Sequence, residues 1–269
     1  MTNVSLLGIP NDDNSSFMKG PSEAPALIRR ELYCEDAYSM WSETGVDLGV
    51  AGKLVDHGDI QFDSASDPWD LIEQSVARAM ASGDPLICLG GDHAITHPIM
   101  RAVRRHHPSL AILHIDAHCD IYHAYLDNPR SHASPFARIM EERLADRLIQ
   151  VGIRTNNDHH REQTKRFGVE VIEARRLSGN LRLDITTPVY ISIDMDGLDP
   201  ACAPGVSHRE PGGLSTRQVI DLIHAIDQPI VAADIVEYNP RRDISNMTAT
   251  VAAKLLKEIG GMMVETVRR

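Results

Sequence analysis

The sequence predicts an α/β protein with a central, mostly parallel sheet covered by helices on both faces. Three observations carry that expectation. Apolar runs recur at Val4–Ile9, Leu86–Leu89, Leu110–Ile115, Leu148–Ile153, Val189–Ile193 and Ile230–Ile235. Each reads as continuous rather than alternating, which is the pattern of a strand buried on both faces. Helical patterns separate the runs, and alternating strand and helix implies parallel strands joined by helical crossovers. No internal repeat or low-complexity linker intervenes, so residues 1–269 are expected to form a single domain.

In chain order, Val4–Ile9 opens the sheet, and Leu71, Ile72, Val76 and Met80 mark one face of the first patterned helix. Leu86–Leu89 follows. Gly90 and Gly91 end that strand, where missing side chains permit a tight turn into a helix starting near His93. Leu110–Ile115, Leu148–Ile153 and Val189–Ile193 are the next strands. Val219, Ile220, Ile223 and Ile226 line a helix before Ile230–Ile235, and Met247, Val251, Leu255 and Ile259 line the last one.

A chain of 269 residues can bury roughly three quarters of its unfolded surface, so a packed enzyme core is attainable. Apolar residues make up 42% and charged residues 24%, which leaves no case for disorder. The net charge of -11 argues against nucleic acid as a partner and suits a cationic small molecule. Cys34, Cys88, Cys119 and Cys202 form no CxxC pair, so reduced thiols in a cytoplasmic protein are expected. With no secretory leader pattern and no long apolar run, neither export nor membrane insertion is expected.

The chemistry is concentrated in GGDH at 90–93, DAHCD at 116–120 and SIDMDGLDP at 192–200. Each motif follows an apolar run. In an open parallel sheet, ligands bind at the carboxyl ends of strands, and period-two alternation would throw each set of side chains to one side. His93, Asp116, His118, Asp120, Asp194 and Asp196 would then share one sheet edge. Taken singly, a buried Asp at a strand end is more often a cap than a ligand. Six ligand-type residues at strand ends of one sheet reverse those odds. Four carboxylates crowded together must take up protons or bind cations, and two divalent ions would balance them. A DxH motif also opens metallophosphoesterase sites, but their GDxxD lies downstream of it. Here every Gly-Asp lies upstream.

The set resembles the ureohydrolases, the family of arginases and agmatinases. NSSFMKGP at 14–21, SHASPFARIME at 131–141, VGIR at 151–154, REQTKRFGVE at 161–170, APGVSHREPGGLS at 203–215 and VEYNPRRD at 236–243 look most like the plant-type arginases. The likeness covers roughly Leu6 to Ile259, without the organelle-targeting extension of plant members. It implies a three-layer α-β-α, arginase-like fold and a dinuclear manganese centre. One ion would be held by His93, Asp116, Asp120 and Asp194, the other by Asp116, His118, Asp194 and Asp196. Mn²⁺ suits such oxygen-rich, thiolate-free ligation, with Ni²⁺ or Co²⁺ also compatible. His132 matches the position of the family's proton-handling histidine, and Glu237 that of the carboxylate orienting the guanidinium. Asp199 matches a part of the motif that is not a ligand, with a turn-forming role expected.

The implied activity is hydrolysis of a guanidino group to urea and an amine, with L-arginine favoured as substrate. Agmatine, guanidinobutyrate, guanidinopropionate and guanidine stay open. Tyr122 and Asn157 are the positions expected to meet the substrate's far end. A single-zinc, deacetylase-like hydrolase and a silent subunit are the alternatives from other classes. The resemblance also implies a homo-oligomer, a trimer or hexamer. Of the remaining residues, His97 is expected to pack in the core, His123 and His208 to be solvated histidines on loops that border the pocket, and Cys119 to be a neighbour of the site rather than a ligand.

Overall fold

The computed structural model describes residues 3–34, 40–177, 181 and 183–266. Its centre is one eight-stranded sheet in the order β2-β1-β3-β8-β7-β4-β5-β6, with every pairing parallel. The strands are β1 Val4–Gly8, β2 Leu54–Asp59, β3 Leu86–Leu89, β4 Ala111–Ile115, β5 Arg147–Ile153, β6 Glu170–Glu173, β7 Val189–Asp194 and β8 Ile230–Val236. Every expected strand is present. The two that the apolar runs did not indicate, β2 and β6, are the edges. Each has one neighbour, and their sequences LVDHGD and EVIE carry the charge that keeps an edge from pairing with another chain.

The helices are α1 Ala24–Leu32, α2 Pro68–Ala79, α3 Thr96–His106, α4 Pro135–Glu141, α5 Asp158–Phe167, α6 Thr216–His224 and α7 Met247–Thr266. They cover both faces. Ile28 and Leu32 of α1, Val219 and Ile223 of α6, and Leu255 and Ile259 of α7 pack with Leu113, Ile191 and Ile235 on one side of the sheet. Ile72 and Val76 of α2, Ile99 and Val103 of α3, and Phe136 of α4 pack with Leu86, Ile112 and Tyr190 on the other. Three layers result, as expected. Among the described residues, no helix is long and apolar enough to cross a membrane.

Two helices depart from expectation. In α7 the first expected core residue, Met247, is exposed, and the buried stripe runs instead through Thr248, Ala252, Leu255 and Ile259. The carboxylate of Asp243 accepts the backbone N–H groups of Thr248 and Ala249, which sets the first turn, and small alanines face inward there. Helix α5, DHHREQTKRF, gave no apolar stripe because its buried residues are His160, Gln163 and Thr164.

The four central strands β3, β8, β7 and β4 bring their carboxyl ends side by side. Backbone contact fixes the first of these ends. A Cβ on Gly91 would lie 1.8 Å from the carbonyl oxygen of Asn11, so no larger residue fits without moving the chain that precedes His93. Gly91→Ala is therefore expected to destabilise the protein by about 1–3 kcal/mol, the usual range for forced overpacking. Chemical denaturation of chelator-treated protein would read this. An unchanged midpoint would show that the two segments part freely.

Candidate metal centre and active site

Each central strand ends in one of the motifs. GGDH follows β3, Asp116 follows β4, Asp194 closes β7 and Glu237 follows β8. Strand alternation does not set the directions of these side chains, because most of them lie just past the strands in turns closed by carboxylates. Asp194 Oδ1 accepts the N–H of Asp196 at 2.8 Å, and Asp116 Oδ1 accepts that of His118 at 2.6 Å. Asp92 does the same for Ala94 at 3.1 Å. Asp120 and Glu237 occupy left-handed backbone, with φ of 43° and 62°. Non-glycine residues are held there at a cost of order 1–3 kcal/mol, which concentrates at functional sites.

All six expected ligands come together. His93 Nδ1 is 3.0 Å from Asp120 Oδ2, 3.2 Å from Asp194 Oδ2 and 3.4 Å from Asp116 Oδ2. His118 Nδ1 is 3.2 Å from Asp196 Oδ2 and 3.5 Å from Asp116 Oδ1. Besides a group of His93, His114 and Asp116, two groups with ligand atoms mutually within 4.8 Å form among the described residues: His93, Asp116, Asp120 and Asp194, and beside it Asp116, His118 and Asp196. Asp116 is common to both. Asp194, the other expected bridge, falls only in the first.

The donor chemistry fits a metal. Ser192 donates to Asp234 at 2.7 Å, so it accepts from His93 Nε2 at 2.9 Å. That fixes the ring with Nδ1 toward the carboxylates, where it is fully buried without a hydrogen-bond partner. A metal-ligating histidine is oriented in this way through its other nitrogen. Burial disfavours charge on His93, yet Asp116, Asp120 and Asp194 lift its pKa well above the ordinary value. His118 rises likewise, burial being outweighed by Asp196 and Asp116. Burial, together with the charges of Asp196 and Asp116, pushes Asp194 far above the usual carboxylate range.

Beneath the cluster runs a buried polar row that the sequence did not suggest. Gln150, His114, Ser192, Asp234 and Cys88 occupy matching registers on β5, β4, β7, β8 and β3. His114 Nε2 donates to Asp116 Oδ2 at 2.8 Å, while Gln150 reaches His114 Nδ1 at 3.1 Å. Asp234 accepts from Thr96 at 2.7 Å, from Ser192 and from Tyr190. Arg154 of VGIR donates to the carbonyl oxygens of Asp196 and Gly197, pinning the turn that carries Asp196.

A cavity of about 390 Å³ opens over the cluster, lined in part by His118, Asp120, His132 and His208. Tyr122, Tyr125, Thr155, Asn156, Asn157 and His160 form another part of its wall. A roomier groove of about 610 Å³, lined by α6 with Leu177, Leu181, Leu183 and Asp184, holds none of these residues. His132 Nδ1 is 2.8 Å from Glu237 Oε1, which also accepts the His93 N–H at 3.0 Å. Burial works against charge on His132, but Glu237, Asp120 and Asp92 raise its pKa to about 9. Glu237 is itself buried and not part of the cavity lining.

The remaining expectations divide. His97 is buried, bonded to Glu142 at 3.0 Å and edge-on to Trp69, as expected. Cys119 is a buried neighbour, and Asp199 ties its turn by accepting from Ala201, Gly212 and Gly213. His123 is largely exposed and outside the cavity lining. His208 borders the cavity as expected, but it is half-buried between Phe17, His118 and His132 rather than solvated. Asn157 and Tyr122 both line the cavity. However, Asn157 caps α5 through the His160 N–H at 2.9 Å and donates to the Tyr122 hydroxyl at 2.5 Å, so its amide already has partners on both sides.

A family model described as "Arginase family" matches residues 2–261. "Arginase 1, mitochondrial" of Arabidopsis thaliana is 47% identical over 95% of this chain and 80% of its own length. "Agmatinase" of Bacillus anthracis is 32% identical over 95% of this chain and 90% of its own. The solved structure "Arginase from Medicago truncatula" superposes with a TM-score of 0.90 at 43% identity, covering 97% of this chain and 87% of that one. The Arabidopsis relative is named as mitochondrial, which does not bear out the expected cytoplasmic location. Free thiols and ordinary hydropathy fit any reducing aqueous compartment, so they were no guide to which one.

Metal binding has a defined proton cost. The surrounding carboxylates raise the pKa values of His93 and His118, so the metal-free cluster holds their protons more tightly than free histidine does, and a divalent cation must displace them. Titration of chelator-stripped protein with Mn²⁺ is expected to release protons, with affinity rising as pH increases and falling below neutrality. Calorimetry in buffers of different ionisation enthalpy measures this. Heats independent of buffer would contradict the reading of the cluster as a protonated metal site.

Proposed function

The chain belongs to the arginase family, and on that premise we propose that it hydrolyses L-arginine to L-ornithine and urea. The observation that carries this reading is the cluster of Asp116, Asp120, Asp194 and Asp196 around the unpartnered Nδ1 of His93, beneath a cavity with no lysine or arginine in its lining. Such a cavity suits a cationic guanidino group. The greater likeness to the Arabidopsis arginase than to the Bacillus agmatinase favours arginine.

His93, Asp116, Asp120 and Asp194 would hold one ion, and Asp116, His118, Asp194 and Asp196 the other, with Mn²⁺ preferred on ligand hardness and Ni²⁺ or Co²⁺ compatible. A bound pair of divalent cations supplies Lewis acidity and hydroxide near neutral pH. Two ligand groups rather than one speak against a single-zinc enzyme. Glu237 orients the guanidinium and holds His132 in its charged form, and His132 provides the proton for the departing nitrogen. Tyr122 and Asn157 meet the substrate's tail. Residues 1–269 act as one domain, within a homo-oligomer that family likeness makes a trimer or hexamer.

One observation favours agmatine as a second reading. No lysine or arginine lines the cavity to pair with an α-carboxylate, which would have to be met by neutral donors such as Thr155 and Asn156. Urea release across arginine, agmatine, 4-guanidinobutyrate and guanidine decides between them, with arginine expected to be fastest. Glu237→Gln should lower kcat/KM on every substrate by about 10- to 150-fold, the loss of one charge-assisted contact worth about 1.5–3 kcal/mol. Tyr122→Phe, which spares the α5 cap, should change the ratio of arginine to agmatine turnover. If Glu237→Gln alters that ratio and spares the better substrate, the guanidinium is misplaced in this account.

A further inference from the structure

Asp92 of GGDH and the segment NSSF at 14–17 contain no expected metal ligand, acid or guanidinium-orienting group. They are 78 positions apart and meet in the fold. Asp92 is fully buried, and its Oδ2 accepts the Asn14 N–H at 2.9 Å and the Ser15 hydroxyl at 3.3 Å. From the other side, Asn14 O accepts the His132 N–H at 3.2 Å, and Asn14 Oδ1 accepts from Asn128 Nδ2 at 3.2 Å. Phe17 packs against His208 at 5.3 Å between ring centres. The segment is thus fastened on both sides of Ser16, whose hydroxyl lines the cavity 2.8 Å from His132 Nε2.

That contact bears on the route of the proton. Nδ1 of His132 is taken by Glu237, so only Nε2 can deliver a proton toward the cavity, and Ser16 Oγ is its hydrogen-bond partner. A hydroxyl can accept one hydrogen bond while donating another, which a carboxylate or an ammonium cannot do.

Resting on the acid role proposed for His132, we propose that Ser16 relays its proton to the departing amine. As the C–N bond breaks, its electron pair stays on nitrogen and takes the proton of the Ser16 hydroxyl, while Oγ receives the proton from His132 Nε2. Serine ends unchanged and His132 ends neutral. Ser16 is exposed at the cavity mouth, so water can return the proton to His132.

The test compares Ser16→Ala, Ser16→Thr and His132→Ala in the metal-loaded enzyme with L-arginine, with rates taken across mixtures of H₂O and D₂O. Ser16→Ala should lower kcat by about 100-fold with little change in KM, the low end of the range for general acid catalysis. Ser16→Thr should restore most of it. The dependence on deuterium fraction should be bowed in the wild type, with more than one proton in flight, and straight in Ser16→Ala. In metal-free protein, the ¹⁵N shift of His132 Nε2 should also move in Ser16→Ala. Full kcat in Ser16→Ala beside an impaired His132→Ala would overturn the relay alone, as would a bowed dependence that persists without the hydroxyl. Full kcat in His132→Ala would remove the acid assignment, and the relay with it.

Discussion

Burying four carboxylates at one sheet edge is the constraint on which the rest of the site depends. Asp116, Asp120, Asp194 and Asp196 are all buried, and neighbouring buried charges of one sign cannot all stay ionised without cations among them. In the protein alone that compensation falls to His93 and His118, whose pKa values rise in consequence. Divalent metal would replace protons in the same role. The cluster is therefore a set of groups whose charges are mutually dependent, and removing one member changes the protonation of the others.

Such a cluster has to be held against its own repulsion, and the fold does this from below and from the sides. Below, the row of Gln150, His114, Ser192 and Asp234 donates a hydrogen bond to Asp116 and accepts one from His93. At the sides, Asp116 and Asp194 each bond a backbone N–H two residues on, and Arg154 grips the carbonyl oxygens of the Asp196 turn. The left-handed backbone at Asp120 and Glu237 is tolerated for the same reason. Glu237 then links the cluster to His132, since one of its oxygens meets both the His93 backbone and the His132 ring.

Much of this was legible in the sequence. The six buried strands declared themselves because strands covered on both faces are apolar throughout, and the motif residues followed directly at their ends. The edge strands β2 and β6 did not, being short and charged. Helix α5 was hidden because its inward face is His160, Gln163 and Thr164. The polar row escaped notice for a related reason: His114, Ser192 and Asp234 are single polar residues inside runs such as AILHI and IVAADIV, and nothing in one strand says that its neighbours carry partners at the same register. Ser16 was missed, and the burial of His208 misjudged, because both come from loops, whose path over the cavity depends on long-range contacts such as Asp92 to Asn14.

The central claim is that this charge arrangement exists to hold two divalent cations. Metal analysis of protein purified from Mn²⁺-replete cells, alongside Asp194→Ala, tests it most directly. The account predicts about two ions per chain in the wild type, with Asp194→Ala losing metal and urea production together. Full urea production from wild-type protein that carries no metal, or full metal occupancy in an active Asp194→Ala, would contradict it.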